Sequence, residues 1–262
     1  MDTALETHDL TVSYHKRPVL YGVDIQVPSG NLVGIIGPNG AGKSTFIKSV
    51  MGVTPISSGW VKFFGGSLKQ NIKRIGYVPQ RNSVDWDFPV TVMDVALQGT
   101  YGKLGMFKRI SSKEKTIAME ALEKVGIADL HDRQIGNLSG GQQQRVFLAR
   151  ALAQDSDIYF MDEPFVGVDA ATESAIIELL QDMRKQGKTV IVVHHDLQSA
   201  PEYFDMLMLL NMRLIGFGKT EDIFTHEMLQ KTYGGKLTIL NEVATKAAKN
   251  EMAAKHDASK TF

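Results

Sequence analysis

Eight consecutive residues, Gly37-Pro38-Asn39-Gly40-Ala41-Gly42-Lys43-Ser44, have the types and spacing that cradle the phosphates of a nucleotide. The glycines at 37, 40 and 42 permit tight turns that aim successive backbone N–H groups at phosphate oxygens. A helix is expected to follow from Thr45, adding its positive N-terminal end. Lys43 can reach the β- and γ-phosphates, and the Ser44 hydroxyl can ligate Mg2+. The flanks suit such a loop: Asn31 to Ile36 is continuously apolar, and Thr45 to Met51 is helix-patterned.

Two further clusters carry chemistry. Ile158-Tyr159-Phe160-Met161-Asp162-Glu163 is an apolar strand ending in two carboxylates. Strands alternate their side chains, so the two acids take different jobs. Asp162 is assigned to Mg2+, directly or through water, and Glu163, just beyond the strand, to polarising the attacking water. Alone, such a pair is as readily two solvated acids at a strand end; the phosphate loop upstream turns the reading towards catalysis. The stretch Leu138-Ser139-Gly140-Gly141-Gln142 is a glycine-rich helix start of the kind that can complete a nucleotide site on a facing chain. Its glycines permit close approach, and a helix beginning near Gln142 offers its N-terminal end. Phosphate loop and glycine-rich helix start together point to an ATPase that works as a closing pair.

The elements that must position these residues follow from periodicity. Asp9 to Tyr14 and Val19 to Val27 alternate like strands, and Trp60 to Phe64 suggests a small strand pair between glycine-bearing turns. From about Val90 to Gly126 the texture is helical, with Ser112 the expected cap of a Lys113–Lys124 helix. Parallel-sheet texture returns in Asp157 to Met161 and Thr189 to Val193, with a helical Ala171 to Gln186 between them. A helical insert therefore interrupts an α/β core. Residues 241–262 are rich in Ala, Lys, Glu and Asp and are expected to fray.

Composition narrows the classes. With 29 Lys plus Arg against 29 Asp plus Glu, the formal net charge is zero, which argues against general affinity for nucleic acid or an anionic membrane surface. There is no cysteine, which excludes disulfides and thiolate metal sites. No run approaches the roughly 18 apolar residues of a membrane span. The acidic Met1-Asp2-Thr3-Ala4-Leu5-Glu6 lacks the basic start and apolar middle of a signal peptide, so a cytosolic protein is expected.

In this order, the motifs resemble the ATP-binding subunit of an ABC transporter, with matching segments from about residue 8 to residue 235. The resemblance implies an α/β fold: a RecA-like P-loop core with a small antiparallel β subdomain and an inserted α-helical subdomain. Residues 1–240 would form a single ABC ATPase domain, with the core at 1–85 and 155–240, the helical subdomain with its signature at 86–154, and 241–262 a flexible charged tail. ATP and Mg2+ are the implied cofactors, with Pro38, Asn39, Ala41 and Thr45 joining the loop glycines, Lys43 and Ser44 around ATP. Tyr14, as readily a core residue on its own, matches the aromatic that stacks on adenine. Gln80, in Tyr77-Val78-Pro79-Gln80, matches the glutamine that touches Mg2+ and the water.

Ser139, Gly140 and Gly141, with Gln142, match the signature that meets the γ-phosphate of the partner's nucleotide. Asp169, in Val166-Gly167-Val168-Asp169, matches the loop that couples the two sites, although the commoner wording is Ala-Leu-Asp. His195, in Val193-His194-His195-Asp196, matches the switch histidine at the γ-phosphate. The adjacent His194 points the other way on an extended segment, so the two are poorly placed to chelate one ion. Implied partners are a second ATPase subunit, most simply another copy, an integral membrane permease and, indirectly, an extracytoplasmic metal-binding protein; nucleic acid is not among them. The implied place is the cytoplasmic face of the inner or plasma membrane, peripherally bound.

The stretch Val84-Asp85-Trp86-Asp87-Phe88-Pro89-Val90-Thr91-Val92 resembles importers for divalent transition metals, of the manganese, zinc and iron branch. Glu163 to Asp169 and His194-His195-Asp196 share that wording. Manganese is favoured; a zinc or iron importer, or a soluble ABC ATPase of the iron–sulfur assembly type, is the alternative. Trp86 and Phe88 either fold over the chain's own core or line an apolar cleft for a short helix of a membrane partner.

Overall fold

The computed structural model of the chain describes residues 2–14, 17–104 and 109–234, so the tail expected at 241–262 lies outside the described residues. The chain opens with strands β1 (Thr3–Tyr14), β2 (Arg17–Pro28) and β3 (Leu32–Ile36). β1 begins well before the Asp9 start that alternation suggested. The cause is a break in the period of two: Asp9 takes φ +46° opposite Gly22 at φ +54°, where an added Cβ would stand 3.3 Å from Asp9 Oδ1. β3 is buried at every position, which explains its uninterrupted apolar run.

Next come α1 (Lys43–Val50), β4 (Ser58–Phe63), α2 (Leu68–Asn71) and β5 (Ile75–Val78). A helical stretch follows, with α3 (Val92–Gln98), α4 (Ser112–Lys124) and α5 (Gly140–Gln154). The cap of α4 is Ser111, one residue before the expected Ser112. A capping box requires Glu three residues after the cap, and Glu114 supplies it, accepting from the Ser111 amide at 2.8 Å. Then β6 (Ile158–Asp162), α6 (Ala170–Lys185) and β7 (Thr189–Val193) alternate as read from the sequence. The described chain closes with α7 (Ala200–Tyr203), β8 (Met206–Asn211), β9 (Arg213–Lys219), α8 (Thr220–Ile223) and α9 (His226–Tyr233).

These elements cluster into two compact units. In the first, which holds Val61–His194, β5, β6 and β7 run parallel, with Val78 beside Met161 and Asp162 beside Val193. β6 is buried throughout, so its last residue, Asp162, is delivered at the strand end by a fully covered scaffold. In the same unit α5 packs on α3 and α4, burying Val146 and Leu148 with Val95 and Leu122. Gly99 ends α3 where an added Cβ would run into the Arg150 carbonyl, so only glycine allows so close a crossing.

The second unit holds Thr7–Ile25, Val33–Trp60 and the chain from His195. Here β3 pairs parallel with β8, and β8 turns back antiparallel into β9 through Met212 at φ +57°. α9 packs on both strands, and Asn211 at the end of β8 donates to the Thr232 carbonyl at 2.9 Å. Among the described residues no helix is long and apolar enough to cross a membrane.

Candidate functional site

The phosphate loop lies in the second unit, between the buried β3 and α1. Gly37 is pressed on the end of β8: a Cβ there would collide with the Leu210 carbonyl. Beside it the phenol of Tyr233 is buried, and burial holds it well above its ordinary range while the Gly37 backbone opposes. Gly40 has φ +81° and open space around the Cβ position, so the turn of the loop stands clear. α1 begins directly at Lys43 behind Gly42, whose φ of +93° suits glycine. No side chain caps α1 and no acid stands in its first turn. By contrast Thr91, Ser139, Asp169 and Thr225 cap α3, α5, α6 and α9. A helix start without a side-chain cap or a first-turn acid suits an anionic ligand.

Lys43 is buried, and its Nζ donates to the carbonyls of Gly37 at 2.7 Å and Pro38 at 3.1 Å. The ammonium is held inside the loop by the backbone it serves. Ala41 is buried, Pro38, Ser44 and Thr45 are half-buried, and Asn39 and Gly40 are exposed. In the same unit Tyr14 is 43% exposed, its hydroxyl 3.4 Å from that of buried Thr54. An exposed ring with an anchored tip is not a core residue and leaves an aromatic surface open.

The first unit holds the carboxylates. Asp162, the last residue of β6, is 1% exposed. Its charge is felt at Tyr77, whose phenol is pushed up to about 12 by burial first and by Asp162 second, with Arg150 opposing. Glu163 leaves the strand altogether: it takes φ +53°, a left-handed backbone that costs a glutamate roughly 1–2 kcal/mol. That turn breaks the strand alternation on which the sequence reading separated the two acids. Glu163 Oε2 accepts from Gln80 Nε2 at 2.7 Å, joining residues 83 positions apart in sequence.

Ser139 is the exposed N-cap of α5, which begins at Gly140 rather than near Gln142. Gln142 is part of the start itself: its Oε1 accepts from the Ser139 amide at 2.9 Å, and its amide donates to Ser139 Oγ at a long 3.4 Å. Asp169 caps α6, taking the Thr172 amide at 2.9 Å and the Thr172 hydroxyl at 3.0 Å. Those two bonds, the amide first, hold its carboxyl below the usual range. The cap was readable, since Asp followed by a helical run is an N-cap signal. The two histidines diverge: His194 is buried edge-on to Phe165 at 5.3 Å, whereas His195 is exposed.

One residue escaped the motif reading, and one of two open readings is decided. Arg81, next to Gln80, donates from Nε to Gln143 Oε1 at 2.9 Å, and no sequence pattern marks it. Trp86 does fold over its own unit, donating to the Arg81 carbonyl at 3.0 Å and standing edge-on to Phe147 at 5.3 Å. Phe88 remains 58% exposed.

Comparison with known proteins identifies the family. The family model described as ABC transporter matches residues 20–166. The manganese transport system ATP-binding protein MntB of Bacillus subtilis (strain 168) is 59% identical over 238 residues, 91% of this chain and 95% of its own. The zinc transport system ATP-binding protein TroB of Treponema pallidum (strain Nichols) is 55% identical over 235 residues, covering 90% and 88%. The solved structure of cbiO1 from Clostridium perfringens, part of the ABC transporter complex cbiONQ, superposes with a TM-score of 0.74 at 27% identity, over 93% of this chain and 99% of that one. The α/β architecture is therefore the RecA-like P-loop fold that the motifs implied. Since the matched stretch runs from within β2, through the phosphate loop and the glycine-rich helix start, to the turn beyond Glu163, the chain belongs to the ABC transporter family, as an ATP-hydrolysing subunit.

Proposed function

We propose that this subunit works in a closed pair to power uptake of a divalent transition metal, manganese foremost, through a membrane permease. The observation that carries the cargo is the 59% identity, over 91% of the chain, to an ATP-binding protein of a manganese transport system. The zinc-system relative at 55% identity supports a second reading, a zinc importer, with iron the remaining arm.

The residue roles we propose rest on the motif resemblance, with support from local geometry at some positions. Gly37 to Thr45 hold the triphosphate through backbone amides and the Lys43 ammonium, and Tyr14 stacks on adenine. Ser44, Gln80 and Asp162 would hold Mg2+, since hydroxyl, amide and carboxylate oxygens are the hard donors it takes. The fit is supported at Gln80, whose side-chain nitrogen donates to Glu163, an orientation that turns its oxygen, a hard donor, away from that carboxylate. When bound, Mg2+ neutralises charge across the β- and γ-phosphates. Glu163 takes the proton of the attacking water, held in orientation by Gln80. His195 contacts the γ-phosphate.

Ser139, Gly140, Gly141 and Gln142 meet the partner subunit's nucleotide, and Asp169 couples the two sites. We assign residues 1–240 to one ABC ATPase domain, with 86–154 its helical subdomain and 241–262 a charged tail. The second subunit is another copy, and the permease docks near exposed Phe88 at the cytoplasmic face of the membrane. An extracytoplasmic metal-binding protein feeds that permease.

Uptake of labelled manganese by cells whose only copy carries Glu163→Gln, with zinc and iron as competitors, tests the proposal. Loss of manganese uptake supports it. Persistent manganese entry with failing zinc or iron entry moves the cargo to those ions, and normal entry of all three removes metal uptake as the function.

A further inference from the structure

Arg81 lies at a junction that no motif describes. It follows Gln80 directly, and its own carbonyl anchors the loop beyond by accepting from Trp86 Nε1 at 3.0 Å. Its side chain turns towards α5. There Nε donates to Gln143 Oε1 at 2.9 Å, and Gln143 is buried with its Nε2 tied to the Ile135 carbonyl at 3.2 Å. The guanidinium lies over Gly140: a Cβ built on that residue would be 2.8 Å from one terminal nitrogen. The same nitrogen is 3.6 Å from the Cβ position of Gly167, two residues before Asp169. One side chain therefore spans the residue after Gln80, the first residue of α5 and the turn that leads to α6.

The neighbouring contacts brace that span. Arg145, further along α5, donates to the Thr172 hydroxyl at 3.1 Å, and Thr172 is the residue capped by Asp169. A Cβ at Gly141 would meet Thr172 Oγ1 at 3.4 Å. The start of α5 is thus held from one side by Arg81 and from the other by Thr172. The absent side chain of Gly140 also gains a use inside its own subunit, as the floor on which a planar guanidinium rests. A lysine would supply charge but not a flat fork that covers Gly140 while reaching Gln143.

We propose that Arg81 is a positioning residue that sets Ser139-Gly140-Gly141 at the distance and angle required by the partner subunit's nucleotide, and links that setting to Gln80 and its bond with Glu163. This rests on the reading of Ser139 to Gly141 as the surface that meets the partner's nucleotide. Misplacement of a reacting group by about 1 Å can cost about a hundredfold in rate. Loss of Arg81 is therefore read in turnover and in pair formation, not in ATP affinity of the single subunit.

The test uses the full chain with ATP and Mg2+. In Arg81→Gln, kcat is expected to fall by about ten- to a hundredfold with KM for ATP within about twofold of the parent. ATP-driven pairing, followed by light scattering in a Glu163→Gln background that stalls turnover, is expected to weaken to a similar degree. If Arg81→Gln fails to fold, Arg81→Lys is read in the same way, since it keeps the charge but loses the fork. Should the Glu163→Gln parent itself never pair with ATP, the underlying reading of Ser139 to Gly141 is overturned. Should the parent pair and the Arg81 variant pair and turn over equally well, the role of Arg81 alone is overturned.

Discussion

The Gln80 side-chain amide donates to Glu163 Oε2 at 2.7 Å, tying the end of β5 to the residue just past β6. A glutamine at 163 would still accept that bond through its amide oxygen but could not take a proton from water. Glu163→Gln is therefore expected to keep ATP affinity and lose about 10²- to 10⁴-fold in turnover, the usual weight of a general base. Gln80→Ala leaves the carboxylate and removes only its orientation, so the loss should be smaller. Steady-state ATPase rates beside nucleotide titrations check both, and a Glu163→Gln rate equal to wild type would remove Glu163 from the chemistry.

Lys43 bonds the carbonyls of Gly37 and Pro38, so its removal takes away a phosphate ligand and slackens the loop at once. A charge-assisted bond of about 1.5–3 kcal/mol corresponds to roughly a 10- to 150-fold loss of ATP affinity in Lys43→Ala. Titration with a fluorescent ATP analogue measures it. Unchanged affinity would contradict the cradle.

Asp169 caps α6 and is proposed to couple the paired sites, and two substitutions separate the cap from the proposed role. Asparagine caps a helix about as well as aspartate, whereas alanine does not. Asp169→Asn is thus expected to melt close to the parent, and Asp169→Ala at a lower temperature, because α6 loses its bonds to Thr172. If the carboxylate also couples the paired sites, Asp169→Asn will show reduced ATPase activity despite its intact melting temperature. Full activity in that variant would confine Asp169 to capping.

Three phenols held partly or wholly out of water predict an alkaline loss of stability. Burial pushes Tyr77 up to about 12 and holds Tyr159 and Tyr233 well above the ordinary tyrosine range. In the unfolded chain all three release their protons near pH 10. Their contribution is full below that pH and is lost as pH rises towards the folded values, because unfolding then releases protons. Thermal melts between pH 8 and pH 11 should show Tm falling above about pH 10, less steeply in Tyr77→Phe. A flat profile would mean that these phenols ionise without unfolding the chain.

The chemistry was legible where it depends on consecutive residues. The loop at Gly37 to Ser44 and the helix start at Ser139 to Gln142 take the local backbone forms that their glycines and cap residues encode directly. β3, β6 and β7 were equally plain because strands buried on both faces read as unbroken apolar runs. What stayed hidden depended on distance or on one dihedral angle. Asp9 interrupted the β1 pattern through its left-handed backbone, and the choice of Ser111 over Ser112 turned on Glu114. Arg81 belongs to no spacing rule: its partners, Gln143 and Gly140, lie some sixty positions downstream and meet it only through folding.

The left-handed backbone at Glu163 sets durability against work at one position. Glycine would occupy that turn with less strain than any residue bearing a side chain. With Glu163 in the role proposed above, a selection for heat resistance alone would drift towards glycine at 163 and return well-folded chains with a dead motor. Any effort to harden this subunit should therefore screen for turnover and stability together.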